Sequence, residues 1–191
     1  MSNDETPRSN RKMLWLVAAV CIAPFIASFA AYYFYQPAGR INYGTLIGTG
    51  PLPAATLQLD SGAPFAFKQL QGKWLYVTID DAVCDAYCEK KLWQIRQVRK
   101  TQGKYPERIE RVWLMTGGKP AERLRTEYEG MWLVHAAGSP VLEKFPFERA
   151  HADHIYLVDP LGNLVLRYPR DADATRMRKD LERLLKVSRI G

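Results

Sequence analysis

Cysteine is scarce in this chain: 191 residues hold three, Cys21, Cys84 and Cys88. Three are too few to knit a disulfide scaffold, so the chain has to build an ordinary core, and its length and composition suit one globular domain plus an appendage. Internal repeats and low-complexity blocks are missing, so no repeat architecture is expected. Also missing is a basic patch interleaved with stacking aromatics in a known nucleic-acid module. The net charge of +7, from 27 Lys and Arg against 20 Asp and Glu, therefore does not imply nucleic acid. The basic residues are spread over 90–111 and 170–189, on faces expected to be solvated, which leaves open an attraction to an anionic membrane surface or an acidic partner.

Charge is absent altogether from residues 13–35. A run of that length crosses a bilayer as a helix, and Pro24 within it is tolerable in lipid. Arg8, Arg11 and Lys12 stand just before the run and only Arg40 follows closely. That bias keeps the N-terminus inside and sends the remainder across, with Tyr32, Tyr33, Phe34 and Tyr35 as an aromatic belt at the far interface. The competing reading is a cleaved signal peptide, since Ser28-Phe29-Ala30 has the small-x-small form of a cleavage site, but the apolar run continues past it. The organisation expected is a cytoplasmic tail over 1–12, a single-pass anchor over 13–35, a Gly/Pro-rich linker over 36–54 and a folded domain over 55–191. In a bacterial-type cell that places the domain in the periplasm or its equivalent, where disulfides form.

Within the domain, Trp74-Leu75-Tyr76-Val77-Thr78-Ile79 reads as a strand buried on both faces. Leu92, Ile95 and Val98 follow at helical spacing, so residues 84–102 form a helix with Cys84 and Cys88 on or just before its first turn. An i to i+4 spacing brings two thiols close enough to share one ion or to close a disulfide. A hairpin is expected around Asp60-Ser61-Gly62, a second central strand over 111–115, a short helix over 121–128 after Pro120, and a short strand over 132–134. Residues 136–150 carry no clear pattern. Strands over 154–158 and 164–168 flank a Pro/Gly turn, and Met177, Leu181, Leu184 and Leu185 stripe a closing helix. This order is α/β with a mixed sheet. Trp74, Trp93, Trp113 and Trp132 read as packing residues.

Taken together, Leu59-Asp60-Ser61-Gly62 to Phe65, Leu70-Gln71-Gly72-Lys73 with its strand, Cys84-x-x-x-Cys88, and a histidine shortly before Tyr156-Leu157-Val158-Asp159-Pro160-Leu161-Gly162 resemble the SCO/SenC family. These are thioredoxin-like, membrane-anchored factors in assembly of the copper site of cytochrome c oxidase, and the resemblance covers about residues 55–187. It implies a thioredoxin-like mixed sheet flanked by helices. It also implies a copper site, with copper as Cu(I), formed by Cys84, Cys88 and one histidine, and a partner that is a cytochrome c oxidase subunit or another assembly factor. His151 falls on the family's ligand position when counted back from Tyr156 without gaps. His154 reproduces the Asp-His dipeptide in which that ligand is often found, and His135 is a third, weaker candidate. Asp85 stands where a proline commonly follows the first cysteine, and Thr116-Gly117-Gly118-Lys119-Pro120 replaces the family's Asp-Pro-x-Arg-Asp segment.

Two thiolates and an imidazole suit a soft ion such as Cu(I). Asp80, Asp81, Asp85 and Glu89 surround the pair and oppose thiolate formation in the empty site while favouring a bound cation, with Lys90 and Lys91 partly offsetting them. Three functions follow. One is a copper-delivering assembly factor. Another is a thiol:disulfide oxidoreductase, with Cys84 attacking and Cys88 resolving, that reduces a partner's cysteines. The last is a redox-silent scaffold with a plain disulfide.

Overall fold

The computed structural model describes residues 11–34, 42–48, 50–103 and 105–188. The chain divides into two compact units, residues 1–41 and 42–191. In the first, α1 (Arg11–Phe34) is one continuous helix with Pro24 inside it. Its span from Lys12 to Phe34 has a mean hydropathy of 2.3 and is long and apolar enough to cross a membrane. The tail before residue 11, Tyr35 of the expected aromatic belt, and Arg40 lie outside the described residues.

In the second unit the described residues form one mixed sheet. Its centre is β4 (Trp74–Asp80), buried at every position, as the unbroken run of apolar and β-branched residues demands. β5 (Ile109–Met115) pairs with it in parallel, after a crossover through α2 (Ala86–Lys100). β6 (Trp132–His135) continues in parallel beyond α3 (Glu122–Glu127). On the other flank β7 (Ile155–Val158) runs antiparallel to β4, and β8 (Leu164–Tyr168) antiparallel to β7. The hairpin of β2 (Leu57–Leu59) and β3 (Pro64–Phe65) closes one edge against β6. At the opposite edge β1 (Thr45–Leu46) pairs with β8, giving the order β1-β8-β7-β4-β5-β6-β2-β3. The α4 helix (Ala174–Val187) ends the unit.

Side chains alternate across this sheet. One face presents Tyr76, Trp113, Met115, Ile155 and Leu157 to Leu92, Ile95 and Val98 of α2 and to Met177, Leu181 and Leu185 of α4. The other presents Val77, Ile79, Val112, Leu114 and Tyr156 to Phe65, Phe67, Val141 and Phe145. The patternless stretch 136–150 contains a 3-10 turn, Pro140–Lys144, whose Val141 fills that second core. Of the four tryptophans expected to pack, Trp74 and Trp113 are buried, Trp132 is partly so, and Trp93 is about half exposed.

The stretch 36–54 differs from the linker its composition suggests. Within the described residues it is bonded along β8: Ile47 N–H donates to Val165 O, and Leu52 N–H to Gly162 O. Asp180 of α4, fully buried, accepts from the amides of Tyr43 and Gly44 at 3.0 and 2.9 Å. A Cβ on Gly44 would stand 3.1 Å from the Tyr168 ring, closer than ordinary contact. The cause is tertiary, since the partners lie more than a hundred residues away and leave no local pattern. Replacing Asp180 with Ala orphans two amides that have left water, which costs about 2–4 kcal/mol. The expected result is a urea unfolding free energy lower by that amount, with faster proteolysis within residues 42–48.

Candidate functional site

The cysteine loop begins where β4 ends. Asp81 turns the chain by accepting from Val83 N–H through Oδ1 at 2.8 Å, and Cys84 N–H bonds back to Asp81 O. Ala82 N–H reaches Gly117 O on the loop after β5. That loop passes so close that a Cβ on Gly117 would lie 2.7 Å from Asp81 Oδ2. A side chain at 117 would require the Asp81 carboxylate to shift. Asp85 caps α2 by accepting from Cys88 N–H at 2.8 Å, the hydrogen bond of a helix N-cap. Cys84 therefore stands outside the helix, with a left-handed φ of +46°, while Cys88 occupies its first turn. The two sulfurs are joined in a disulfide, with the Cα atoms 5.2 Å apart.

Cys84 is 8% exposed and Cys88 2%. Both line a cavity of about 630 Å³ together with Asp80, Asp81, Val83, Asp85 and Ala152. All its charged lining residues are aspartates. The neighbouring lysines are committed elsewhere: Lys90 pairs with Asp171 at 2.6 Å, and Lys91 turns inward. Lys91, 1% exposed, donates to both oxygens of Asp80 at 2.7 Å and to the Ala152 carbonyl. Burial pushes the Asp80 carboxyl up to about 6 although Lys91 pulls it down, and the same burial lowers Lys91. Desolvation thus outweighs the attraction within the pair.

The candidate histidines do not line this cavity. His151 opens a 3-10 turn, His151–Asp153, rather than an extended strand. Its Nε2 bonds the Leu142 carbonyl at 3.0 Å and its ring packs against Phe147. His154 is 5% exposed, and its Nδ1 bonds the Tyr168 carbonyl at 2.9 Å. A carbonyl only accepts, so Nδ1 carries the proton, and the buried Nε2 has no hydrogen-bond partner. Alternation puts the His154 ring on the Tyr156 face of the sheet, against which it packs edge-on, whereas both cysteines belong to the core of the opposite face. His135 is in register with Met115 and, through it, with Asp80, but it does not line the cavity and lies 3.4 Å from Asp60, which is bonded to Arg125. Among the described residues, no three His, Cys, Asp or Glu side chains are grouped to hold a metal ion. Ala152 is the site residue that the sequence did not single out, and Lys91, expected only to offset the acidic cluster in part, is the buried partner of Asp80. The signal for Lys91 was a charge between Cys88 and Leu92 on the core-facing side of α2, matched by an aspartate closing an apolar strand; Ala152 left none.

Residues 74–188 match the family model described as transmembrane-like, thioredoxin-like, C-terminal domain. No curated protein matches the chain. Solved structures that resemble it include yeast Sco1 with copper bound, at 19% identity and a TM-score of 0.58 over 78% of this chain and 96% of that one. A SCO1/SenC family lipoprotein from Bacillus anthracis has 16% identity and a TM-score of 0.56, over 72% and 96%. The thioredoxin domain of a thiol-disulfide oxidoreductase from Bacteroides vulgatus has 20% and 0.52, over 74% and 97%. At these identities the likeness is one of fold.

With a folded-state pKa near 6 against about 4 for a free carboxyl, Asp80 holds an extra proton in the native state between those values. Its contribution to stability is therefore greatest below pH about 4 and declines as pH rises through 6, by roughly 2–3 kcal/mol. The difference in unfolding free energy between wild type and the paired variant Asp80→Asn/Lys91→Met, followed by urea titration, is expected to fall by that amount from pH 4 to pH 7.

Proposed function

The chain belongs to the transmembrane-like, thioredoxin-like C-terminal domain family, and from that premise we propose that it is a membrane-anchored assembly factor that takes up Cu(I) through Cys84 and Cys88. The observation that carries this reading is two sulfurs side by side in a cavity whose charged lining is aspartate only. Copper is cargo here. A partner dithiol opens the disulfide, becoming a disulfide itself as two electrons and two protons pass to Cys84 and Cys88. Cu(I) then displaces both protons, as soft metals do from thiols. The aspartates favour the cation, while Cys84, outside the helix and more exposed than Cys88, is the sulfur a partner meets first. Yeast Sco1, a structure similar in fold, is recorded with copper bound. The partner we assign is a cytochrome c oxidase subunit or another assembly factor, met outside the membrane, with α1 as the anchor and the N-terminus inside.

Thiol:disulfide exchange is the second reading, supported by the closed disulfide and by the exposure difference that makes Cys84 the attacking and Cys88 the resolving thiol. A thioredoxin domain similar in fold comes from a thiol-disulfide oxidoreductase.

Competition of the reduced full chain, in detergent, with a Cu(I) chelator separates the two. Cys84→Ser/Cys88→Ser is expected to bind Cu(I) at least a hundredfold more weakly than wild type; equal binding would defeat the copper reading. If exchange is the activity instead, Cys88→Ser accumulates a mixed disulfide through Cys84 with a cysteine peptide and wild type turns over.

A further inference from the structure

For a histidine of the 151–154 turn to join the two sulfurs, its ring would have to reach the cavity, and both rings are turned elsewhere. His151 is bonded to Leu142 O and stacked on Phe147. His154 is bonded to Tyr168 O on the other face of the sheet. What the turn gives to the cavity wall is Ala152. The helix that carries Cys88 also grips the turn by its backbone. Tyr87 and Lys91, four residues apart and so on one side of α2, donate to the successive carbonyls of Asp153 and Ala152. Lys91 is fastened in the same stroke to Asp80 of the cavity, and Arg170 holds the Asp153 carboxylate at 2.9 Å. The turn is thus held at the cavity by its main chain, with its imidazoles directed away.

We propose that the metal site consists of the two sulfurs of Cys84 and Cys88 with no histidine of this chain, and that its remaining coordination position is open to a neutral soft donor brought by the partner. The proposal rests on the copper reading above. Cu(I) tolerates low coordination and prefers sulfur, so two thiolates hold it without a third protein ligand. The cavity is bounded on its outer side by Val83, 80% exposed, so an incoming ligand has access. With Asp80 paired to Lys91, the carboxylates of Asp81 and Asp85 in the wall repel a further anion, which selects a neutral thioether or imidazole over another thiolate.

The chain has three histidines, so ring-labelled protein has three imidazole environments to follow. The test uses the reduced full chain in detergent, titrated with one equivalent of Cu(I), then with free imidazole as the probe for the open position. The expected result is no coordination shift of any ring signal, a first shell of sulfur alone by X-ray absorption, and one added nitrogen scatterer after imidazole. His151→Ala and His154→Gln are expected to bind Cu(I) within twofold of wild type. A coordination shift of any of the three rings, a tenfold loss in either variant, or a first shell that imidazole leaves unchanged overturns the proposal. The wild-type spectra decide even if His154→Gln fails to fold. Binding no tighter than in Cys84→Ser/Cys88→Ser is a different failure, that of the copper reading itself.

Discussion

A buried ammonium ties the site together. Lys91 leaves α2, bonds both oxygens of Asp80 at the end of β4, and reaches the Ala152 carbonyl of the turn before β7. Two consecutive elements and a turn 61 residues beyond Lys91 meet at one nitrogen. Burying such a pair costs several kcal/mol per ion in desolvation, which the attraction offsets only with good geometry and further hydrogen bonds. The contact to Asp80 is two-pronged and the third donor of Lys91 is met by a carbonyl, which recovers part of that cost without outweighing it. Removing either partner alone leaves an uncompensated charge in the core, so the pair is far more sensitive to single than to paired substitution.

The same arrangement shapes the chemistry of the cavity. Lys91 is spent on Asp80 and Lys90 is held by Asp171, so no lysine ion pair offsets Asp81 and Asp85 at the sulfurs. A helix N-terminus ordinarily favours a thiolate, but at α2 that place is taken by the Asp85 cap. The environment therefore suits a cation held between sulfurs better than a free, strongly activated thiolate. Glu89 lies outside this balance, since Arg123 pairs with it and holds its carboxyl below the usual range.

Much of the fold was legible because its signals are local. The run Trp74 to Ile79 has one stable solution, a strand covered on both sides, and Leu92, Ile95 and Val98 at helical spacing mark the helix that follows. The likeness to SCO/SenC proteins, read from the order of short motifs, is met at the level of fold by the solved SCO structures. The stretch 42–52 was not legible as part of the domain, because its Gly and Pro content suits a linker and its partners, β8 and Asp180, are remote. The histidines show a similar limit. An Asp-His dipeptide before a strand says nothing about a 3-10 turn at 151–153 or about carbonyls at Leu142 and Tyr168 that claim the ring nitrogens.

By itself the sequence determined an apolar helix long enough for a membrane, an α/β domain, and a pair of cysteines at a strand-to-helix junction. Each of these rests on periodicity, composition or spacing within some twenty residues. Only the tertiary structure decided that Cys84 lies outside the helix, that Lys91 is buried against Asp80, and that both candidate histidines turn from the cavity. The place of Cys84 follows from the Asp85 cap, while the other two outcomes depend on partners, the Asp80 carboxylate and the carbonyls of Ala152, Leu142 and Tyr168, that come within reach only once the sheet has closed.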